Sequence, residues 1–463
     1  MASEVRQPEA CCLSGGPVLA ERVRLWEILL SPWTVAAVAL LARLAFGVIY
    51  WGEQIWLTDQ AFADAQGGDP SKYAVIIRNI LAGNGFAFYD RPSARSGPLM
   101  PYVMAAVFWL LGTNFWSLLG ANALFGAATA WATWKMGNAL YEDRRVAAIA
   151  GVFVALNPGL LHWSAMLMTE SLCIALLAWG ILYVVEFVQT GRSARMAVAG
   201  GLLGLAALSR SETLATALIL PLAVGLRDRR ERGTRSGRAA LAFLVALVVT
   251  LAPWTVRNYV RFGVVLPMTS SGGVALLHGN GPQYEGVGIF DREVWRLAPR
   301  ETLQALNRYD LVPGFGASFN RYDREDEIEE RGKALRWTLD YIRERPGQYL
   351  KRCLGRLITI WLPWTAVMSP LHRVAKALLW LALVPLGAWG LWRARHISAA
   401  LPVMVPIFAT TLVLTLILLD PALAYRTPAE PFLGVFAAWG WVTLWRRWRK
   451  SGLAGSEGRG ALS

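Results

Sequence analysis

Residues 142–188 read EDRRVAAIAGVFVALNPGLLHWSAMLMTESLCIALLAWGILYVVEFV, a charged loop followed by two apolar stretches, about 146 to 164 and 170 to 188, with Glu170 at the turn between them. Each stretch approaches the roughly 20 residues that an α-helix needs to cross a bilayer. A short loop carrying Arg144 and Arg145 just before the pair is the charge pattern of a cytoplasmic connection.

The rest of the chain carries the same pattern. Of its 463 residues 55% are hydrophobic and 17% charged, with a mean hydropathy of +0.38, which leaves too little polar surface for a soluble protein. The formal charge of +14 would suggest a nucleic-acid partner in a soluble protein. Here the arginines collect in short loops and in the C-terminal tail, beside the apolar stretches, so the charge reports topology and no nucleic-acid partner is expected. Cys11, Cys12, Cys173 and Cys353 have no metal-ligand spacing. The first 30 residues lack the basic, apolar and small-residue order of a cleaved signal, so the first span is expected to stay in the mature protein.

Placing the basic loops at 142–145, Arg192/Arg195, Arg227 to Arg238, Arg393/Arg395 and Arg446 to Lys450 in the cytoplasm fixes the remaining spans by alternation. They fall at about 30–51, 115–136, 146–164, 170–188, 196–209, 212–226, 239–257, 374–392, 398–419 and 430–446. The expected fold is therefore an all-α polytopic membrane protein with about 10 spans, within a range of 9 to 13, and both termini cytoplasmic. Pro98 to Gly112 is below crossing length and carries two prolines, so it reads as a juxtamembrane or re-entrant helix, and Cys353 to Met368 as a second non-crossing helix. The expected organisation is a cytoplasmic tail 1–29, a membrane module 30–258 with an outer loop 52–114, and an extracytoplasmic loop domain 259–352. C-terminal membrane helices 353–446 and a disordered tail 447–463 complete it. Gly200 and Gly204 form a small-xxx-small pair that allows close helix packing.

This topology gathers scattered ionisable residues on the outer face: Asp69, Glu170, Arg210, Glu212, Arg257 and Tyr425-Arg426. Charges at membrane depth cost a few kcal/mol each unless paired or wet, so such a collection is a candidate site. Arginines neutralise a phosphate at the lipid boundary, and carboxylates supply a base or hold a divalent ion. A lipid-linked phosphosugar would use both, with the cations placed where charge develops on the leaving phosphate.

Longer motifs carry a resemblance to a known family. Gly68-Asp69-Pro70-Ser71-Lys72-Tyr73, followed by Asn79 to Phe86, resembles the first-loop motif of the polyprenyl-phosphate-sugar-dependent glycosyltransferases of family 39, within the GT-C superfamily. Arg95-Ser96-Gly97-Pro98-Leu99-Met100-Pro101 resembles their second juxtamembrane segment, with Gly97-Pro98 in place of a Pro-Pro pair. Met168-Thr169-Glu170-Ser171-Leu172 resembles the acidic motif, and Leu208-Ser209-Arg210 stands where relatives carry Leu-x-Arg-Pro, with Ser211 replacing the proline. Pro253-Trp254-Thr255-Val256-Arg257-Asn258-Tyr259 and Tyr425-Arg426-Thr427-Pro428 complete the set.

The resemblance, which includes protein O-mannosyltransferases and lipid A aminoarabinose transferases, implies a GT-C fold in the inner (cytoplasmic) membrane with an extracytoplasmic, periplasmic active site. It implies a polyprenyl-phosphate sugar donor, membrane lipids around the chain and an extracytoplasmic lipid, protein or polysaccharide acceptor. Asp69 and Glu170 take the catalytic places, Arg210, Arg257, Arg426 and Arg95 the donor phosphate, and Tyr73, Glu212, Asn258 and Tyr425 the substrate lining. No cofactor is certain; a divalent metal ion, where one is used, would sit on Asp69 and Glu170.

Plainer readings stand beside these. Asp69 before Pro70, and Glu170 with Thr169, also suit helix caps, and arginines at span ends also snorkel to head groups. Asp59 and Asp64 read as solvated loop acids, Asp323 to Glu330 as a solvated helix face, and His162, His278 and the 22 tryptophans as interfacial anchors. A transporter or flippase of a lipid-linked sugar would also place charges in the membrane, and an O-antigen polymerase or ligase would use the same donor class.

Overall fold

The computed structural model describes residues 28, 30–65, 69–232, 235–280, 327–361, 370–417 and 423–457. Its architecture is a bundle of α-helices. The first, α1 (Pro32–Trp51), is capped by Ser31 with a proline in its first turn, and it leads through a 3-10 turn into α2 (Asp59–Ala65) and α3 (Asp69–Leu81). A two-stranded hairpin, Ala87–Phe88 against Arg91–Pro92, follows, a small departure from the expected all-α chain. Next come α4 (Leu99–Leu111), α5 (Phe115–Tyr141), α6 (Arg144–Leu156), α7 (Pro158–Ser164), α8 (Glu170–Thr190) and α9 (Ser193–Ser209). Then follow α10 (Leu214–Arg232), α11 (Arg235–Phe262) and α12 (Gly272–Asn280). The C-terminal part contributes α13 (Glu327–Glu344), α14 (Pro346–Thr359), α15 (Pro370–Ala394), α16 (Ala400–Leu416), α17 (Leu423–Arg426) and α18 (Glu430–Glu457).

Helix α8 is the centre of the bundle, packed by α9, α5 and α16, and two thirds of its apolar window is buried inside the protein. Helix α11 is the opposite case, with Leu241, Val245, Val248, Val249 and Val256 exposed along its length, a face that only lipid satisfies. The Gly200/Gly204 pair does what small residues at this spacing allow. A Cβ at Gly200 would collide with the carbonyl of Phe243, and one at Gly204 would lie 2.8 Å from Thr250 Cβ, so α9 and α11 meet backbone to backbone.

By length and mean hydropathy four described stretches qualify to cross a bilayer unaided: Pro32–Trp56, Glu170–Thr190, Gly237–Phe262 and Ala377–Ala394. A fifth is the pair α6 and α7 taken as one bent span. The expected count of ten also includes shorter or more polar helices. Helices α9 and α16 have 17 residues each, about 26 Å at the helical rise. Helix α5 is long enough, but Ser117, Asn122, Thr129 and Thr133 dilute its apolar character, and all four are buried against protein.

Three expectations are corrected in detail. The stretch 146–164 is one helix only to Leu156; Asn157 and Pro158 break it, and the two halves meet at a bend of 49°. The second non-crossing helix begins earlier than expected, at Pro346, and residues 362–369 lie outside the described residues. The last helix continues to Glu457, through the start of the tail expected to be disordered from 447. Helix α4, with 13 residues, is about 20 Å long and has the short length expected of a non-crossing helix.

Candidate functional site

The turn between α7 and α8 and the turn between α9 and α10 meet at one end of the bundle. Helix α9 stops at Ser209 because Arg210 adopts an extended backbone, and the next three residues form a 3-10 turn that Thr213 Oγ1 closes by donating to the Arg210 carbonyl at 2.8 Å. Arg210 is thereby aimed at the first residue of α8. Its Nη1 donates to Glu170 Oε1 at 2.5 Å and to Thr169 Oγ1 at 3.1 Å, while its Nε donates to Glu212 Oε1 at 2.5 Å. Glu170 is fully buried and sits in the first turn of its helix, where the macrodipole favours a negative charge. The ring of Tyr425 covers the guanidinium at 5.2 Å.

Burial alone would loosen the Arg210 proton, but Glu170 and Glu212 more than offset it and hold the pKa well above the ordinary arginine value. Arg210 is therefore a permanent cation between two acidic side chains. Among the described residues nothing accepts a hydrogen bond from Arg210 Nη2.

The loop after α3 is brought against this cluster. Gly97 lies on the carbonyls of Leu208 and Ser209, close enough that a Cβ there would overlap them, and Ser209 Oγ donates to the Thr169 carbonyl at 3.4 Å. The same loop is held from its other side by the end of α11. Arg257 Nη1 donates to the Ser93 carbonyl and Nη2 to the Phe86 carbonyl, both at 2.8 Å, with Trp254, Phe262 and Phe86 rings around the guanidinium. Nη1 also donates to Asn258 Oδ1 at 2.9 Å; fully buried Asn258 in turn donates to the Leu266 carbonyl at 2.8 Å, and Trp254 Nε1 donates to the Met268 carbonyl at 2.6 Å. The Ser270 N–H donates to the Ala94 carbonyl at 2.8 Å, and Ser271 Oγ to that of Arg95. The motif at 253–259 is thus a clip that ties the loop around the hairpin to the end of α11.

The structure gathers Glu170, Arg210, Glu212 and Tyr425 into one cluster and sets Arg257 and Asn258 behind the loop as its clip. Arg95 lies on that loop, half-buried, with its guanidinium 5.7 Å from the Phe88 ring centre. Tyr73 is half-buried on α3 and packs with the apolar cluster beneath the loop. Asp69 opens α3, but its side chain is outside the described residues, as is that of His278. Arg426 is buried: its Nη1 donates to the Ile360 carbonyl at 2.8 Å, its Nε is 3.6 Å from Glu430 Oε1, and its guanidinium lies 4.2 Å from the Trp380 ring centre. Asp59 and Asp64 are exposed, and His162 packs between Tyr50 and Trp163.

For a metal ion the described residues are a poor fit. Glu170 has one oxygen on Arg210 and the other 3.4 Å from Thr169 Oγ1, and among the described residues no group of three or more His, Cys, Asp or Glu side chains gathers. Two groups were missed in the sequence. Arg43, buried within α1, donates to main-chain carbonyls of α6, and Glu430 accepts from Asn157 Nδ2 at 2.8 Å. An arginine inside an apolar span was the available signal for Arg43, and the four-residue spacing from Arg426 was the signal for Glu430.

Residues 90–255, which include Arg95, Glu170, Arg210 and Glu212, match a family model described as dolichyl-phosphate-mannose-protein mannosyltransferase. No curated protein matches the sequence. Among solved structures, the archaeal oligosaccharyltransferase AglB from Archaeoglobus fulgidus, in complex with an inhibitory peptide and a dolichol-phosphate, superposes with a TM-score of 0.52 at 13% identity. The apo form of the oligosaccharyltransferase from that organism gives 0.53 at 15% identity. Both alignments cover 91% of this chain and 52% of the other, so the chain spans about half the length of that oligosaccharyltransferase. ArnT from Cupriavidus metallidurans in the apo state gives 0.40 at 17% identity, covering 86% of this chain and 76% of that one. With 91% of the chain aligned on AglB, the fold is the GT-C fold that AglB has.

Proposed function

We propose that this chain is a membrane glycosyltransferase that moves a sugar from a polyprenyl-phosphate-linked donor to an acceptor on the extracytoplasmic side. One observation carries the reading: Arg210 is fixed by Glu170 and Glu212, kept ionised, and among the described residues has one arm without a hydrogen bond at the end of the bundle where the first loop meets it. A fixed cation with one free fork arm suits a phosphoryl oxygen of a lipid-linked donor. The basic loops at 142–145 and 192–195, at the opposite end of the bundle, support a cytoplasmic side there by the charge rule.

In the reaction the bond between the sugar's anomeric carbon and the phosphate oxygen breaks, and the electron pair leaves with the polyprenyl phosphate. Arg210 Nη2 meets the charge growing on that phosphate, a contact stronger in the transition state than in the ground state. Asp69, on the first turn of α3, takes the proton of the acceptor nucleophile as its bond to the anomeric carbon forms. Glu170 acts through Arg210, which it orients. Arg95, on the clipped loop, supplies a second cation toward the donor.

The test is transfer by purified protein from radiolabelled polyprenyl-phosphate sugars to a membrane acceptor fraction, with Asp69→Asn and Glu170→Gln beside wild type. Transfer that Asp69→Asn removes while the protein stays folded supports the reading, and the labelled product gives the acceptor class. No transfer from any donor, with lipid-linked sugar crossing proteoliposomes intact, would make the chain a transporter.

A further inference from the structure

The break between α6 and α7 separates two carbonyls from their helical donors. In an unbroken helix the N–H of residue 158 would serve Val154 and that of residue 159 would serve Ala155. Residue 158 is a proline and has no N–H. The N–H of Gly159 donates instead to Asn157 Oδ1 at 2.9 Å. Both carbonyls are taken up by one side chain from another helix: Arg43 Nη2 donates to Val154 O at 3.1 Å and Nη1 to Ala155 O at 3.3 Å, while Nη1 also donates to Ala39 O at 3.0 Å.

Arg43 is only 3% exposed and lies deep in the first span, a costly place for a guanidinium. An apolar residue there would leave two carbonyls facing hydrocarbon. Room for the guanidinium comes from Gly126 on α5, where any Cβ would overlap Arg43 Nε. From the break to the candidate site the chain is held at each step. Asn122 Nδ2 donates to the carbonyls of Ser164 and Met166 at 3.0 and 3.1 Å, and Trp51 Nε1 to that of Ala165 at 2.6 Å. Arg43, Gly126, Leu160, Trp163 and Glu170 wall one small cavity.

We propose that Arg43 is a positioning residue: by satisfying the carbonyls of Val154 and Ala155 it holds the break, and so sets the path of 158–169 that delivers Glu170 to Arg210. Its effect on turnover rests on the transferase reading; its effect on the break does not.

The experiment is amide hydrogen exchange of the full chain in nanodiscs, for wild type, Arg43→Met, Gly126→Ala and the double variant Arg43→Met/Pro158→Ala. Arg43→Met is expected to speed exchange across 159–171 by about tenfold or more, with 193–209 unchanged. Gly126→Ala, which keeps the arginine but displaces it, is expected to do the same, so a variant that fails to fold does not end the test. Pro158→Ala restores an N–H for Val154 and is expected to return much of the lost protection. Unchanged exchange over 159–171 in both single variants would overturn the proposal. In the transfer assay Arg43→Met should lower kcat about tenfold with the donor KM within about twofold, and add little to Glu170→Gln. Fast exchange without any wild-type transfer would fault the transferase reading and leave the positioning role standing.

Discussion

At the scale of single residues, the Glu170–Arg210 pair is a buried salt bridge, and such pairs penalise the loss of one partner more than the loss of both. Arg210→Met should therefore cost about 3–5 kcal/mol, because it strands a fully buried carboxylate. The double variant Glu170→Met/Arg210→Met should recover most of that stability while remaining inactive, which denaturant unfolding in detergent and the transfer assay would show together. Equal stability of the single and double variants would mean that Glu170 is not charged in the folded protein. These residues were legible in the sequence because charges at span ends are rare enough in an apolar chain to stand out. The presence of Arg43 in an apolar span was visible too, but its role was not, since its partners in α6 are main-chain carbonyls 111 and 112 positions away and leave no complementary side chain to find. The bond between Asn157 and Glu430 is hidden for a similar reason: it joins residues 273 positions apart.

At the scale of elements, the loop from Phe86 to Gly97 is held between the end of α11 and the end of α9, and each attachment makes a separate prediction. Arg257 serves two carbonyls with two arms, a geometry that lysine cannot reproduce. Arg257→Lys, although it keeps the charge, should speed proteolysis and hydrogen exchange over 86–94. An intact loop with a raised donor KM would instead make Arg257 a phosphate ligand. Gly97→Ala should push the loop off Leu208 and Ser209 and lower kcat about tenfold or more while α9 and α11 keep their protection. The identity of the clip motif could be read in the sequence, but its work could not, because the hairpin it holds lies more than 160 positions earlier. The break at Asn157-Pro158 was likewise visible as two letters. Those letters alone do not mark a break, since a proline inside a span is tolerated whenever a neighbour supplies the missing bond, and here that neighbour is Arg43.

At the scale of the whole molecule, the alternation of apolar stretches and short basic loops was enough to reach a polytopic helical bundle, while helix ends and the bend depended on packing that periodicity does not encode. The alternation also makes a claim about sides. Helix α5 has 27 residues and is about 40 Å long, more than the roughly 30 Å of the hydrocarbon core, so it is long enough for its ends to lie on opposite surfaces, as the alternation of basic loops predicts. Asp90, exposed at the hairpin turn, lies beyond one end and Glu142, exposed in the loop before α6, at the other. In a chain whose native cysteines are replaced, a single cysteine at Asp90 should react with a membrane-impermeant maleimide added to intact cells. One at Glu142 should react only after the membrane is opened. The reverse pattern would put the Glu170–Arg210 cluster on the cytoplasmic side, where the donor would need its sugar facing inward and the charge rule would have failed for this chain. Equal reactivity from one side would mean that α5 does not cross, and the two turns that build the site would then have to be reached from a different surface than the one the basic loops select.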